Sequence, residues 1–82
     1  MFLKTHELKC WSSYFEDVIE GRKTFEIRKN DRNFHVGDVL RLKEYGPFRE
    51  SFTGRQCDIR VIYILDDDRF LQKGYVCMVI EF

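Results

Sequence analysis

Hydrophobic and polar positions alternate along several segments of the chain, and this alternation predicts β-strands. The clearest segments are residues 23–29, 39–45, 55–65 and 75–82, and a shorter mixed segment from Thr5 to Cys10 predicts a first strand. Residues 45–54 carry two glycines and the only proline of the chain, which predicts a flexible loop.

One segment departs from the period of two. The apolar residues that recur there at the spacing of a helical face are Tyr14, Phe15, Val18 and Ile19. They predict a helix over about residues 12–20. Ser13 and Glu16 have the spacing of a capping box at its start, and Gly21 suits the left-handed residue that ends a helix.

The longest predicted strand, residues 55–65, becomes apolar on both faces in its second half. Strict alternation places five residues on one face, namely Cys57, Ile59, Val61, Tyr63 and Leu65. Ile62 and Ile64 add apolar side chains to the opposite face. This pattern predicts a central strand, or a strand that the helix covers.

The composition supports a small, mainly β domain. The chain has 82 residues and a mass of 10.0 kDa, the size of a single domain over residues 1–82. Alanine, the best helix former, is absent, whereas 25 residues are Val, Ile, Phe, Tyr or Trp, which favour strands. We therefore expect a mainly β fold with one helix, in which about five short strands close into a small barrel that hides their edges.

Membrane and metal-site signals are weak in this sequence. No apolar run approaches the ~18 residues of a membrane-spanning helix, and no signal peptide is visible, which predicts a reduced, cytoplasmic protein. Cys10, Cys57 and Cys77 are far apart and lack the paired spacing of zinc ligands. We expect these cysteines to be small buried hydrophobic residues, and we expect no metal or other cofactor.

Zero net charge conceals an uneven distribution along the chain. Residues 21–60 carry ten basic and six acidic side chains, a net charge of +4, and the rest of the chain carries a net −4. Basic residues beside aromatic ones suit single-stranded RNA, because cations meet phosphates and rings stack on bases. The possible RNA contacts are Arg32, Arg41, Lys43, Arg49 and Arg55. Alternatively, the aromatic residues cap the ends of the barrel and the charges belong to an ordinary surface.

The densest polar segment follows the predicted helix. Strand alternation places Thr24, Glu26 and Arg28 on one face, and Lys23 lies at the junction between helix and strand. Such a group is costly to bury unless its charges are paired. The spacing alone is compatible with two structures, a half-solvated strand face with salt bridges and a ligand pocket.

The same segment resembles the signature of a known family. The string Gly21-x-Lys23-Thr24-x-Glu26-x-Arg28, directly after a short helix, is similar to that of the ASCH (activating signal cointegrator homology) domains of the PUA-like superfamily. The similarity extends along the chain to further segments, which are His6-Glu7-Leu8-Lys9, Tyr14-Phe15-x-x-Val18, Lys29-Asn30-Asp31-Arg32, Phe34-x-Val36-Gly37-Asp38, Phe52-Thr53-Gly54-Arg55 and Gly74-Tyr75-Val76. Together these segments resemble a small stand-alone ASCH-like family of bacteria and phages, mostly of unknown function.

The resemblance implies a PUA-like β-barrel with the helix at one opening. It also implies a cleft between helix and barrel that is lined by Lys23, Glu26 and Arg28, with Gly21 turning the chain into it. Related domains are linked to RNA binding. The expected ligand-binding residues are therefore Lys23, Thr24, Glu26 and Arg28.

One branch of the resembled family hydrolyses the amide of acetylated cytidine. Its proposed centre has a lysine that matches Lys23 and a threonine at the position of Glu26. The replacement removes the hydroxyl nucleophile, so we expect no catalytic activity of that kind. Hydrolysis survives as a hypothesis only if Glu26 activates a water and Lys23 stabilises an oxyanion.

Three functions are therefore in question. The leading one is a non-catalytic module for RNA or a nucleotide-like ligand, in which Lys23 and Arg28 hold a phosphate or a base edge and Glu26 accepts hydrogen bonds from an amino group. The first alternative is a small amidohydrolase that acts on acetylated cytidine. The second alternative is a protein-interaction domain whose charged cleft is structural.

Overall fold

The computed structural model describes residues 3–82, which form five strands and one short helix. The elements are β1 (Thr5–Trp11), α1 (Ser12–Ile19), β2 (Phe25–Lys29), β3 (Val39–Gly46), β4 (Ser51–Leu65) and β5 (Tyr75–Glu81). This order confirms the predicted succession of a strand, a helix and four further strands. The mainly β class with one helix is likewise confirmed.

All five strands belong to one sheet, in the order β1-β3-β4-β5-β2. β1 runs parallel to β3, whereas the pairs β3–β4, β4–β5 and β5–β2 are antiparallel. β1 and β2 flank the helix in the chain, yet they lie at opposite ends of the strand order. The predicted central position of β4 is confirmed.

The expected barrel is wrong, because the sheet stays open between its two edge strands, β1 and β2. We call this gap the seam. Two arginine side chains cross it: Arg28 donates a hydrogen bond to the Lys9 carbonyl at 2.7 Å, and Arg32 donates to the Glu7 carbonyl at 2.9 Å. Guanidinium groups thus satisfy carbonyls of β1 that backbone N–H groups of β2 would satisfy in a closed barrel.

The core lies on the face of the sheet that the helix covers. Its largest fully buried residues come from the helix and the three central strands and are Phe15, Val18, Leu40, Leu42, Ile59, Val61, Val76 and Met78. Burying a side chain of this size contributes about 1.5–3 kcal/mol. The helix packs mainly on β1 and β3, which leaves its N-terminal half beside the seam.

The helix boundaries match the sequence prediction, but the start differs in detail. No side chain caps the first turn of α1, and Ser12 Oγ instead donates to the Tyr45 carbonyl at 3.0 Å. The predicted Ser13–Glu16 capping box is therefore wrong. Gly21 has a φ of +78°, as expected of a residue that ends a helix. Over residues 3–82, no helix has the length and apolar character needed to cross a membrane.

A β-bulge in β4 changes which side chains reach the core. The register with β5 shifts between Val61 and Tyr63, so the strand gains one residue there. Val61 is fully buried, but Tyr63 is 58% exposed. The prediction that Tyr63 and Leu65 share a face with Ile59 and Val61 is wrong, because the extra residue reverses the alternation.

The connection between β3 and β4 is shorter than expected. β3 continues to Gly46 and β4 already begins at Ser51, which leaves only a tight turn of the predicted loop. Glu50 ends this turn with a φ of +51°. The hairpin places Tyr45 and Phe52 opposite each other on neighbouring strands.

Candidate functional site

A cavity of about 760 Å³ opens along the seam, between the N-terminal half of α1 and the edge strands β1 and β2. This volume lies within the usual range of small-molecule sites. The residues that line it are Lys9, Cys10, Trp11, Tyr14, Asp17, Arg22, Lys23, Phe25, Glu26, Ile27 and Arg28. One short stretch of chain, from β1 through α1 to β2, therefore supplies the whole lining.

Glu26 is the most buried charged residue of the cavity, with 4% of its surface exposed. The alternation of β2 turns Glu26 and Arg28 inward and leaves Phe25 and Ile27 exposed. Arg28 Nε donates to Glu26 Oε2 at 2.9 Å, and Lys23 Nζ donates to Glu26 Oε1. The buried carboxylate is thus held between two cations, as a buried charge requires.

Lys23 reaches the cavity because Gly21 ends the helix and turns the chain toward β2. Besides Glu26, its ammonium group donates to the Phe25 carbonyl at 2.7 Å. It also lies 5.0 Å from the centre of the Phe25 ring and 5.8 Å from that of Tyr14, which is cation–π distance. The side chain is 15% exposed, so Lys23 is more enclosed than its place at the junction suggested.

Aromatic rings form the walls above these charges. Trp11, Tyr14 and Phe25 all line the cavity, and each exposes 42% or more of its surface. Large exposed rings beside a polar floor are suited to stacking on a flat ligand. Trp11, the last residue of β1, thus forms part of the cavity wall.

The cavity offers donors and one buried acceptor, but no activated nucleophile. Burial, reinforced by nearby Glu26, raises the pKa of the Cys10 thiol to about 11, so this cysteine stays protonated at neutral pH. Among residues 3–82, no group of three or more His, Cys, Asp and Glu side chains is arranged to hold a metal ion. The arrangement can bind an anion and hydrogen-bond a polar edge.

The structure brings together three of the four predicted ligand-binding residues. Lys23, Glu26 and Arg28 form one cluster in the cavity. Thr24 is exposed and does not line this cavity, and its carbonyl accepts a hydrogen bond from the Ile80 N–H. Thr24 precedes β2, so the alternation that places Glu26 and Arg28 inward does not extend to it.

His6 is part of a different buried group. Its Nε2 lies 2.8 Å from Asp38 Oδ2, and both side chains are buried. Burial alone raises the pKa of Asp38, but hydrogen bonds from His6 and from the Lys4 and His35 N–H groups outweigh it and lower that pKa. The pair joins β1 to the segment just before β3, so His6 has a structural role.

The five basic residues predicted to contact RNA lie apart from the cavity and have varied surroundings. Arg41 makes two hydrogen bonds to Asp58, at 2.9 and 3.0 Å, and Lys43 lies 3.3 Å from Glu7. Arg32 crosses the seam, and Arg49 lies in the exposed turn after β3. Their contact with RNA stays a prediction.

Arg55, the fifth of these residues, connects the helix to the sheet. It donates to Glu44 at 2.9 and 3.0 Å and to Glu16 at 2.7 Å. Hydrogen bonds from Arg55 and Thr53 lower the pKa of the buried Glu44. Arg55 therefore has a structural role that its sequence position did not indicate.

Several cavity residues were not predicted from the sequence. Tyr14 was assigned to the buried face of the helix, but it is 52% exposed at the cavity. Tyr14 and Asp17 are three residues apart, so they lie on the same face of the helix. This spacing beside a charged residue was the available signal that Tyr14 faces the cavity rather than the core. Lys9 carried no comparable signal, because its place depends on the approach of β1 to β2 across the seam.

Comparison with known proteins identifies relatives without an assigned activity. The chain is similar to the "Uncharacterized 12.9 kDa protein in GpA 3'region" of Escherichia phage P2, with 40% identity over 72 residues. The match covers 88% of this chain and 64% of the phage protein, so the chain spans less than two thirds of that relative. A family model described as "Domain of unknown function (DUF3850)" matches residues 5–80. The chain therefore belongs to the DUF3850 family.

Proposed function

We propose that this chain is an RNA- or nucleotide-binding module, and that its cavity takes one nucleobase with its adjoining phosphate. The observation that carries the proposal is the buried Glu26 carboxylate, held between Lys23 and Arg28 on the floor of a cavity with aromatic walls. Flat ligands that carry both hydrogen-bonding edges and negative charge match this combination.

Shape supports a base-sized ligand. The volume of about 760 Å³ suits a small molecule, and the exposed rings of Trp11, Tyr14 and Phe25 offer surfaces for stacking. Proteins that recognise unpaired bases commonly stack them on such rings and read their edges by hydrogen bonds. An aliphatic ligand would gain the apolar contact but would not use the hydrogen-bonding capacity that remains on the charged floor.

The polar floor favours a base that carries an amino group. Glu26 is acceptor-only when ionised, and a carboxylate has lone pairs beyond the two that Lys23 and Arg28 occupy. Lys23 and Arg28 supply donors for a ring nitrogen, a carbonyl or a phosphate. Cytosine and adenine present the matching amino donor, whereas uracil does not.

We also propose that the DUF3850 family is related to the ASCH domains. The support is the position of the site, since Lys23, Glu26 and Arg28 line a cleft between the helix and the edge strands of the sheet. The open seam is a departure from the barrel that the resemblance implies. A relationship of this kind fits the proposed binding of RNA.

Binding is favoured here over hydrolysis of acetylated cytidine. Both oxygens of Glu26 already accept hydrogen bonds from cations, so the carboxylate is placed to orient groups rather than to take a proton from water. We expect no acetate release when the protein is incubated with acetylated cytidine. Turnover that is abolished in Glu26→Gln would instead support the amidohydrolase.

Titration with CMP and UMP, followed by NMR or calorimetry at low salt, tests the proposal. We expect CMP to bind more tightly than UMP, and Lys23→Met to weaken CMP binding about tenfold or more, because a charged hydrogen bond is lost. Lys29→Met is the matched control, since Lys29 lies in the same strand and does not line the cavity. Absence of binding for every nucleotide and RNA tried would favour the protein-interaction alternative.

A further inference from the structure

Three aromatic rings form a continuous row on the outer face of the sheet. Trp11, Tyr45 and Phe52 are opposite neighbours on β1, β3 and β4. The ring centres are 5.6 Å apart for Trp11–Tyr45 and 5.3 Å apart for Tyr45–Phe52, both in edge-to-face geometry. We call this row the aromatic ladder. Phe52 is 54% exposed and Trp11 is 44% exposed, so their surfaces are open to a ligand.

Two lysines lie directly beside the ladder. Lys9 and Lys43 are opposite each other on β1 and β3, where like charges repel. Lys9 Nζ lies 4.5 Å from the centre of the Tyr45 ring, and Lys43 Nζ lies 5.4 Å from that of Phe52. Within residues 3–82, Glu7 pairs with Lys43, and no carboxylate pairs with Lys9. An anion placed between the two ammonium groups would relieve this repulsion.

The ladder is continuous with the cavity. Trp11 and Lys9 both line the cavity. Trp11 is also the first ring of the ladder, and Lys9 is one of the two lysines beside it. A ligand that leaves the cavity past Trp11 therefore meets Tyr45 next and then Phe52. This path offers alternating rings and cations in the arrangement by which β-sheet surfaces bind single-stranded RNA.

From this continuity we infer that the aromatic ladder is a second binding surface, on which the bases next to the cavity nucleotide of a single-stranded RNA stack. The inference rests on the proposed function for the identity of the ligand, and it extends the binding site from one nucleotide to several consecutive nucleotides. Lys9 and Lys43 then contact the phosphates that link the stacked bases.

A second copy of the chain is a poorer occupant of this surface. A symmetric contact between two ladders would bring the lysines of one copy against those of the other, and buried like charges oppose association. A polyanion instead gains from both lysines at once. The charge pattern therefore favours RNA over self-association.

The length dependence of binding tests the inference. CMP and oligocytidylates of two, four and six nucleotides are titrated against the full chain, and we expect the tetranucleotide to bind at least about tenfold more tightly than CMP. Phe52→Ala should remove this gain and leave CMP binding unchanged. Tyr63→Ala is the matched control, because Tyr63 lies on the same strand at similar exposure and outside the ladder.

A salt titration adds an independent measurement. The logarithm of the tetranucleotide binding constant should fall linearly with the logarithm of the salt concentration. Lys43→Met should make this slope shallower by about one, because one phosphate contact is lost. The same variant should leave CMP binding unchanged. An unaltered slope would argue that Lys43 does not contact the strand and would overturn this part of the inference.

The outcomes separate the ladder from the cavity. Equal affinities for CMP and the tetranucleotide overturn the ladder and leave the proposed function intact. Equal losses in Phe52→Ala and Tyr63→Ala also overturn it, because the gain would then come from a diffuse surface. A length-dependent gain that needs Phe52, in a protein that does not bind CMP, supports the ladder and contradicts the cavity function.

Discussion

Arg28 in β2 donates a hydrogen bond to the backbone carbonyl of Lys9 in β1, and its Nε donates to the buried Glu26 carboxylate. One guanidinium group thus links the two free edges of the sheet and also neutralises the cavity floor. Arg32 crosses the same seam to the Glu7 carbonyl, but it is exposed. The two arginines allow the seam and the buried ion pair to be tested separately.

Replacing each of these arginines by methionine should have unequal effects. Arg28→Met should lower the free energy of unfolding by about 1.5–3 kcal/mol, because it removes a hydrogen bond to the buried, charged Glu26. Arg32→Met should change it by no more than about 0.5 kcal/mol, as is usual at exposed positions. Urea denaturation of both variants provides the measurement. Equal losses would show that the contact across the seam matters more than the pairing with Glu26.

Truncating the members of the Lys23–Glu26–Arg28 cluster should also have unequal effects. Glu26→Ala leaves two cations without their carboxylate, and we expect a loss of about 3 kcal/mol in the free energy of unfolding. Lys23→Ala should cost about 1.5 kcal/mol, because it removes one charged hydrogen bond while Arg28 continues to pair with Glu26. Denaturant unfolding decides between these values. Small and equal losses would mean that the cluster behaves as an ordinary surface strand.

Acid should destabilise the protein partly through Asp38. Hydrogen bonds hold the folded-state pKa of Asp38 below its unfolded value, so its contribution is fully present above about pH 4 and is lost as the pH falls through the folded-state pKa. Urea unfolding between pH 2.5 and 6 should show this loss. The free energy of unfolding should change less steeply with pH in Asp38→Asn than in the native chain. Glu44, whose pKa is also lowered, contributes to the remaining slope. An identical slope in the variant would contradict the assignment.

The two carboxylates that contact Arg55 form a matched pair. Glu44 is buried, with hydrogen bonds from Arg55 and Thr53, whereas Glu16 is about half exposed. Glu44→Gln should lower the free energy of unfolding by about 1–3 kcal/mol, because the buried network loses its negative charge and one of its two acceptor oxygens. Glu16→Gln should change it by about 0.5 kcal/mol or less. Thermal melts provide the measurement. A larger loss of stability in Glu16→Gln than in Glu44→Gln would contradict the structural role of the Glu44–Arg55 pair.

Local patterns were sufficient to predict the elements and part of the site. Alternation and helical spacing depend on neighbouring residues only, so the strands and the helix were predictable. Glu26 and Arg28 are two residues apart in one strand, and their common face follows from the same rule. Their place in one cleft with Lys23 came from the resemblance to ASCH domains rather than from spacing.

Features that depend on distant parts of the chain were not predictable. The bulge near Ile62 arises from pairing with β5, and it exposes Tyr63 although the strand pattern is apolar. The hydrogen bond across the seam joins Arg28 to a carbonyl 19 residues earlier in the chain. Arg55 is 39 residues from Glu16, and no periodicity relates such positions.

The strand order has a consequence for folding. The cavity walls come from residues 9–28, but β1 and β2, which hold these residues in place, attach to opposite ends of the β3–β4–β5 meander. A folding intermediate that contains only the meander therefore has no cavity. An intermediate that lacks either β1 or β2 has no cavity either. Ligand binding and the completion of folding are thus linked, and a ligand at one hundred times its Kd would stabilise the native state by about 2.7 kcal/mol.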